Sequence, residues 1–213
     1  MCGIAGIMYK GAESVFDTGE ALIRMLDGCQ HRGPDSTGFA LYGKAHPGEL
    51  KLRFFLGTAS AFETAIDTIR QRLLVLNAAI IDESEIGDNY RVTVRYAGDV
   101  QKLAYEMEHT AKVISIGTSL EIVKDVGSAH EVDDRYAVHS YRGTHGLGHV
   151  RLATESDVKP EASHPFWATG FADVAIVHNG QITNYWKMRR RLEQRGFEFT
   201  TCLLYTSPSP RDS

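Results

Sequence analysis

The residues best suited to covalent chemistry open the chain: Met1-Cys2-Gly3-Ile4-Ala5-Gly6-Ile7. Removal of Met1, which the small Cys2 side chain favours, makes Cys2 the first residue and places a thiol and a free α-amine on one carbon framework. In unperturbed peptides a thiol titrates near ~8.5 and an α-amine near ~7.7–8.0, so a nucleophile and a near-neutral base share one residue. A terminal amine can activate a neighbouring hydroxyl or thiol without a histidine. Cysteine at position 2 is a weak signal alone and draws its force from segments downstream. The dipeptide Asn179-Gly180 by itself reads as a two-residue hairpin turn. No pair of histidines has metal-ligand spacing and no Gly-rich phosphate loop is present, so no metal and no cofactor is expected.

Composition narrows the classes. The chain has 213 residues and is 43% hydrophobic, enough for one globular domain with its own core. A net charge of −4 gives no electrostatic footprint for nucleic acid or an anionic membrane. The run Arg189-Arg190-Arg191 reads as the solvated face of one helix. Three cysteines, Cys2, Cys29 and Cys202, make no disulfide framework. With no signal peptide and no run of ~18 apolar residues, the expected location is the cytoplasm, with no membrane partner.

Several elements must carry these residues. Strands are expected over 2–9, 37–42, 146–154 and 174–178, and helices over 16–29 and 185–195. Helix 16–29 shows Ala21, Leu22, Met25 and Leu26 at helical spacing, with Asp17 or Thr18 as its cap. Residues 120–126 are read as a short helix. Between 44 and 111 the character changes: strand 50–56, helix 59–76, strands 78–86 and 90–96, and helix 100–108, closed by strand 112–116. That β-α-β-β-α-β order is the ferredoxin-like pattern and reads as a subdomain inserted into the main fold.

Four segments then line up: Cys2 to Ile7; His31-Arg32-Gly33-Pro34-Asp35-Ser36-Thr37-Gly38; Gly148-His149-Val150-Arg151-Leu152-Ala153-Thr154; and Val177-His178-Asn179-Gly180 ahead of a helix. In this order they resemble the class II glutamine amidotransferases, glutaminase domains of the N-terminal nucleophile hydrolase superfamily. The stretches 143–156, His164-Pro165-Phe166 and 116–124 are most similar to the branch serving glutamate synthases and N-methylglutamate synthases. Glu155-Ser156 stands where many members have His-Gly, a departure that argues against the hexosamine-phosphate synthase branch.

The resemblance implies a fold and a set of roles. The fold is α/β, a four-layer α-β-β-α sandwich over residues 1–43 and 112–201, with 44–111 as the insertion. Cys2 attacks the side-chain amide of glutamine, and its own amine carries the thiol proton to the leaving ammonia. The Asn179 side-chain amide and the Gly180 N–H stabilise the tetrahedral intermediate. Arg151 grips the substrate α-carboxylate, helped by the Thr154 hydroxyl. Arg32 and His178 support the site; Arg32 and Asp35 hold a loop beside the N-terminus, and His149 and His178 are buried, hydrogen-bonded neighbours. Ammonia passes to a synthase partner or a further domain. Two rivals are a terminal-nucleophile amidase acting on another amide, against which Arg151 argues, and a non-catalytic regulatory subunit, against which Cys2, Asn179, Gly180 and Arg151 together argue.

The last residues, from Cys202 to Asp212, are similar to a translated library-preparation adapter rather than to any protein family. The natural sequence is therefore expected to end near Thr201, leaving the domain C-terminally truncated. The family's α-amine-binding aspartate would lie beyond that point. Such a fragment would be poorly soluble and weakly active. A natural Ser/Pro-rich tail is the competing reading.

Overall fold

The computed structural model describes residues 2–10, 16–57, 59–152, 160, 163–180 and 184–194. The expectations for Thr154, for the strand at 197–199 and for the tail fall outside these residues. Two four-stranded antiparallel sheets organise the molecule. The first contains β1 (Gly3–Met8), β2 (Ser36–Tyr42), β7 (Leu120–Val126) and β8 (His145–Arg151), in the order β1-β8-β2-β7. The second contains β3 (Glu49–Phe55), β4 (Ala79–Ile86), β5 (Asn89–Arg95) and β6 (Lys112–Gly117), in the order β4-β5-β3-β6. The protein is thus a mixed α/β fold built on antiparallel sheets.

Period-2 alternation distributes the side chains of the first sheet between two cores. Phe39, Leu41, Val123 and Val150 turn to one face. There they meet Leu22, Ile23 and Leu26 of α1 (Thr18–Asp27), and Ala129 and Val132 of α4 (Ala129–Tyr136). Ala40, Tyr42, Leu120 and Ile122 turn to the opposite face and join a larger core. That core also takes Leu52 and Phe54 of β3, Ile66, Ile69 and Leu73 of α2 (Phe62–Val75), and Leu103 and Met107 of α3 (Val100–Glu108). Every residue of β2 is buried, as a central strand covered on both faces requires.

Several expectations change. Residues 120–126 form strand β7, not a helix, and pair along their whole length with β2. Ile122, Val123 and Val126 are β-branched, and the alternation of the segment suits two buried faces better than a helical stripe. Its polar residues are buried with partners: Glu121 with Arg53 and Arg91, Asp125 with Arg135 and the Tyr136 hydroxyl. In α1, Ile23 takes the buried place expected of Met25, which is exposed, and Asp17 makes no side-chain cap bond. The strand expected at 174–178 shortens to β10 (Ala175–Ile176), paired with β9 (Phe166–Trp167). Helix α5 spans Tyr185–Glu193.

Asp173 ties this hairpin to the turn between β6 and β7. Its carboxylate accepts hydrogen bonds from the backbone N–H of Thr118, Ser119 and Leu120, at 3.0, 2.7 and 2.8 Å, and from the hydroxyls of Thr118 and Ser119. These bonds hold its carboxyl below the usual range despite burial. They anchor the chain just ahead of His178 and Asn179.

Candidate active site

Three strand ends converge at one edge of the first sheet. β1 starts there and β8 ends there, with Gly3 opposite Val150. β2 also starts there, with Ser36 opposite Arg151. Cys2 directly precedes Gly3 and Arg151 directly follows Val150, so the two residues flank the last pair of this ladder. The Cys2 thiol lies 4.0 Å from the Leu152 carbonyl oxygen and is partly exposed.

The loop before β2 closes over this edge. A one-turn 3₁₀ helix at Gln30–Arg32 leads into Gly33. A Cβ on Gly33 would stand 2.4 Å from the Val150 carbonyl carbon and 2.6 Å from the Arg151 nitrogen, so only glycine lets the loop pass. The Asp35 N–H then donates to the Arg151 carbonyl at 3.1 Å, and the Asp35 carbonyl accepts from Gly127 at 3.0 Å. Arg32 itself is exposed, and its charge works against the burial that pushes the Cys29 thiol up. Arg151 is the largest fully buried side chain described, at 1% exposure.

The fourth segment arrives from β10. The Asn179 side-chain amide donates to the Cys2 carbonyl oxygen at 2.9 Å, joining residues 177 apart in sequence. Asn179 and Gly180 do not form the hairpin turn that the dipeptide alone suggests. Such a turn needs positive φ at both residues, whereas Asn179 is not among the described residues with positive φ and Gly180 has φ +157°. A Cβ on Gly180 would approach the His178 ring nitrogen Nε2 to 3.1 Å.

A histidine cluster backs this loop. His149 stacks on His164 with ring centroids 4.4 Å apart, and His164 meets Phe166 edge-on. The His178 backbone N–H donates to His164 Nδ1 at 3.2 Å, which fixes the residue just before Asn179. Lys124 braces the segment from behind, donating to the Ser163 and Pro165 carbonyls at 2.9 and 3.3 Å. His149 is buried as expected, but its ring nitrogens make no well-formed hydrogen bond among the described residues, and His178 is only half-buried. His164 was not singled out as a site residue, and nothing in its spacing from His149 signals the stack. Among the described residues no group of three His, Cys, Asp or Glu side chains is arranged to hold a metal.

Burial lowers the pKa of His149 to about 4, and burial together with the neighbouring His149 and Lys124 charges lowers His164 to about 2. Both rings are therefore neutral in the folded protein at neutral pH. Below about pH 6.5 the unfolded chain binds protons at these histidines that the folded chain does not, so stability falls as pH drops from there toward 4. Each histidine contributes up to about 1.4 kcal/mol per pH unit in that window. Chemical denaturation between pH 7 and 5 should show this loss, and His164→Asn should make it shallower; an equal slope in both proteins would remove His164 from the effect.

The sequence matches that of a provisionally named glutamine amidotransferase of Methanothermobacter thermautotrophicus, with 37% identity over 210 residues covering 94% of this chain and 68% of the relative. The chain belongs to the class II glutamine amidotransferases. The profile of the glutamine amidotransferase domain matches residues 121–202, which include Arg151, His164 and Asn179. The glutamine amidotransferase-like protein GlxB of Rhizobium meliloti is 34% identical over 204 residues, covering 94% of this amidotransferase and 65% of GlxB. An isomerizing glutamine–fructose-6-phosphate aminotransferase of M. thermautotrophicus is 33% identical over 100 residues, which are 47% of this chain and 17% of the aminotransferase. The chain thus spans about two thirds of the first two relatives and a small part of the third. No described helix of the amidotransferase is long and apolar enough to cross a membrane.

Proposed function

We propose that this amidotransferase releases ammonia from glutamine through a γ-glutamyl thioester on Cys2. The observation that carries the reading is the 2.9 Å bond from the Asn179 amide to the Cys2 carbonyl, at the strand edge that ends in Arg151. With Met1 removed, the α-amine of Cys2 accepts the thiol proton as sulfur attacks the amide carbon of glutamine. Negative charge develops on the amide oxygen, and the Asn179 amide and Gly180 N–H stabilise it. The amine returns the proton to nitrogen as the C–N bond breaks and ammonia leaves. Water then cleaves the thioester, giving glutamate and the free thiol.

Arg151, itself buried, supplies the planar donor fork for the α-carboxylate. Thr154 adds a hydroxyl, Arg32 and His178 support the loops, and 44–111 is an insertion in a four-layer α-β-β-α domain. The ammonia goes to a synthase partner or domain of the glutamate synthase type. The choice of glutamine over another amide is tested by Arg151→Lys. A point charge cannot reproduce the bidentate fork, so KM for glutamine should rise at least about tenfold with kcat little changed. An unchanged KM would take Arg151 out of the substrate site.

A further inference from the structure

Asn179 reaches Cys2 on a lightly built arm. The ladder between β9 and β10 has two residue pairs, Ala175 with Trp167 and Ile176 with Phe166. A two-stranded hairpin of this size is marginal by itself, and its register is weakly specified. A slip of one residue would move Asn179 by about 3.3 Å along the chain and turn its side chain to the opposite face. Two contacts outside the ladder hold the arm. His164 takes the His178 N–H on the side of Asn179. Asp173, six residues ahead of Asn179, holds the other side.

The Asp173 carboxylate sits in a pocket of donors made for it. Its Oδ2 accepts from the Thr118 N–H at 3.0 Å and from the Thr118 hydroxyl at 2.7 Å. Its Oδ1 accepts from the Ser119 N–H at 2.7 Å, the Ser119 hydroxyl at 2.9 Å and the Leu120 N–H at 2.8 Å. Three successive backbone N–H groups aimed at one place form a nest for an anion, and the chain's own side chain fills it. A Cβ on Gly117 would stand 2.6 Å from Oδ1, so this approach needs glycine at 117. Asp173 has φ +62°, a left-handed conformation that aspartate and asparagine adopt more readily than other side chains.

The far end of the clamp belongs to the sheet that carries the site. Thr118 and Ser119 join β6 to β7, and β7 pairs along its whole length with β2. β2 pairs with β8 and β8 with β1, the ladder flanked by Cys2 and Arg151. Asp173 therefore ties the arm to the same frame as Cys2.

We infer that Asp173 is a positioning residue for Asn179: its clamp on residues 118–120 sets the register of the arm that brings Asn179 to Cys2. The inference rests on the oxyanion role proposed above for Asn179. Asp173 acts on kcat through that donor and leaves substrate binding by Arg151 alone.

Asp173→Asn keeps the left-handed backbone and the side-chain shape but turns an NH2 group toward donors that need an acceptor. Its kcat for glutamine should fall at least about tenfold, because a misplacement of about 1 Å at a reacting site costs up to about 10²-fold. KM should stay within about twofold of wild type. Added to Asn179→Ala, the same substitution should cost less than about twofold more, since no donor is left to position. Hydrogen exchange over residues 174–180 should quicken at least about tenfold, with β2 and β8 unchanged. If Asp173→Asn does not fold, Thr118→Val combined with Ser119→Ala removes only the two hydroxyl donors, and the same measurements on it decide the matter. Wild-type kcat or unchanged exchange over 174–180 in the folded variant, or a loss that adds in full to that of Asn179→Ala, overturns the inference while the oxyanion role stands. Wild-type kcat in Asn179→Ala alone overturns the oxyanion role, and this inference with it.

Discussion

Replacing Cys2 by alanine is expected to lower glutamine hydrolysis by about 10⁴-fold or more, the scale of loss when a covalent nucleophile is removed. The rate is followed as ammonia released from glutamine. The expectation is specific to one of two nearby thiols. Cys29 also lies at this edge, close enough that a Cβ on Gly3 would stand 2.7 Å from its sulfur. Its surroundings raise its pKa, mainly by burial, which leaves less of the reactive thiolate. Cys29→Ala should therefore keep most of the activity. Ammonia release that survives Cys2→Ala and disappears in Cys29→Ala would reverse the assignment.

Asn179→Ala should lower kcat about 10²–10³-fold, the usual loss for one oxyanion donor. KM should change little, because the donor matters most when charge develops on the amide oxygen. In the structure the Asn179 amide donates to the Cys2 carbonyl. Turned from that carbonyl, the same amide would serve as donor to an oxyanion formed beside the thiol. Its backbone neighbour is fixed by the His178–His164 bond, so the substitution should leave the loop in place. A kcat within threefold of wild type would remove Asn179 from transition-state stabilisation.

What the sequence disclosed depended on how strongly local pattern and packing agreed. Helix α2 was legible because Ile66, Ile69 and Leu73 repeat at helical spacing and are all buried on one face. Strand β7 was misread because Glu121, Lys124 and Asp125 interrupt its apolar residues, and only tertiary partners explain their burial. Helix α4 went unassigned although Ser128 and Glu131 form a capping box at its start. Just Ala129 and Val132 of its eight residues are buried, too few to set up a periodic signal. At the site, Cys2, Arg151 and Asn179 were legible as candidates, because the reaction proposed for them calls for those residue types. The brace behind them was not. His149, His164 and Lys124 meet through sheet pairing and a stacked ring, neither of which leaves a spacing in the chain.

The most direct measurement is intact-mass and peptide mass spectrometry after treatment with a glutamine analogue that carries a diazoketone in place of the side-chain amide. The expected result is a chain lacking Met1 with one covalent adduct, located on Cys2 and suppressed by excess glutamine. An adduct on Cys29 alone, or full glutamine turnover by protein that retains Met1, would contradict a terminal-cysteine mechanism.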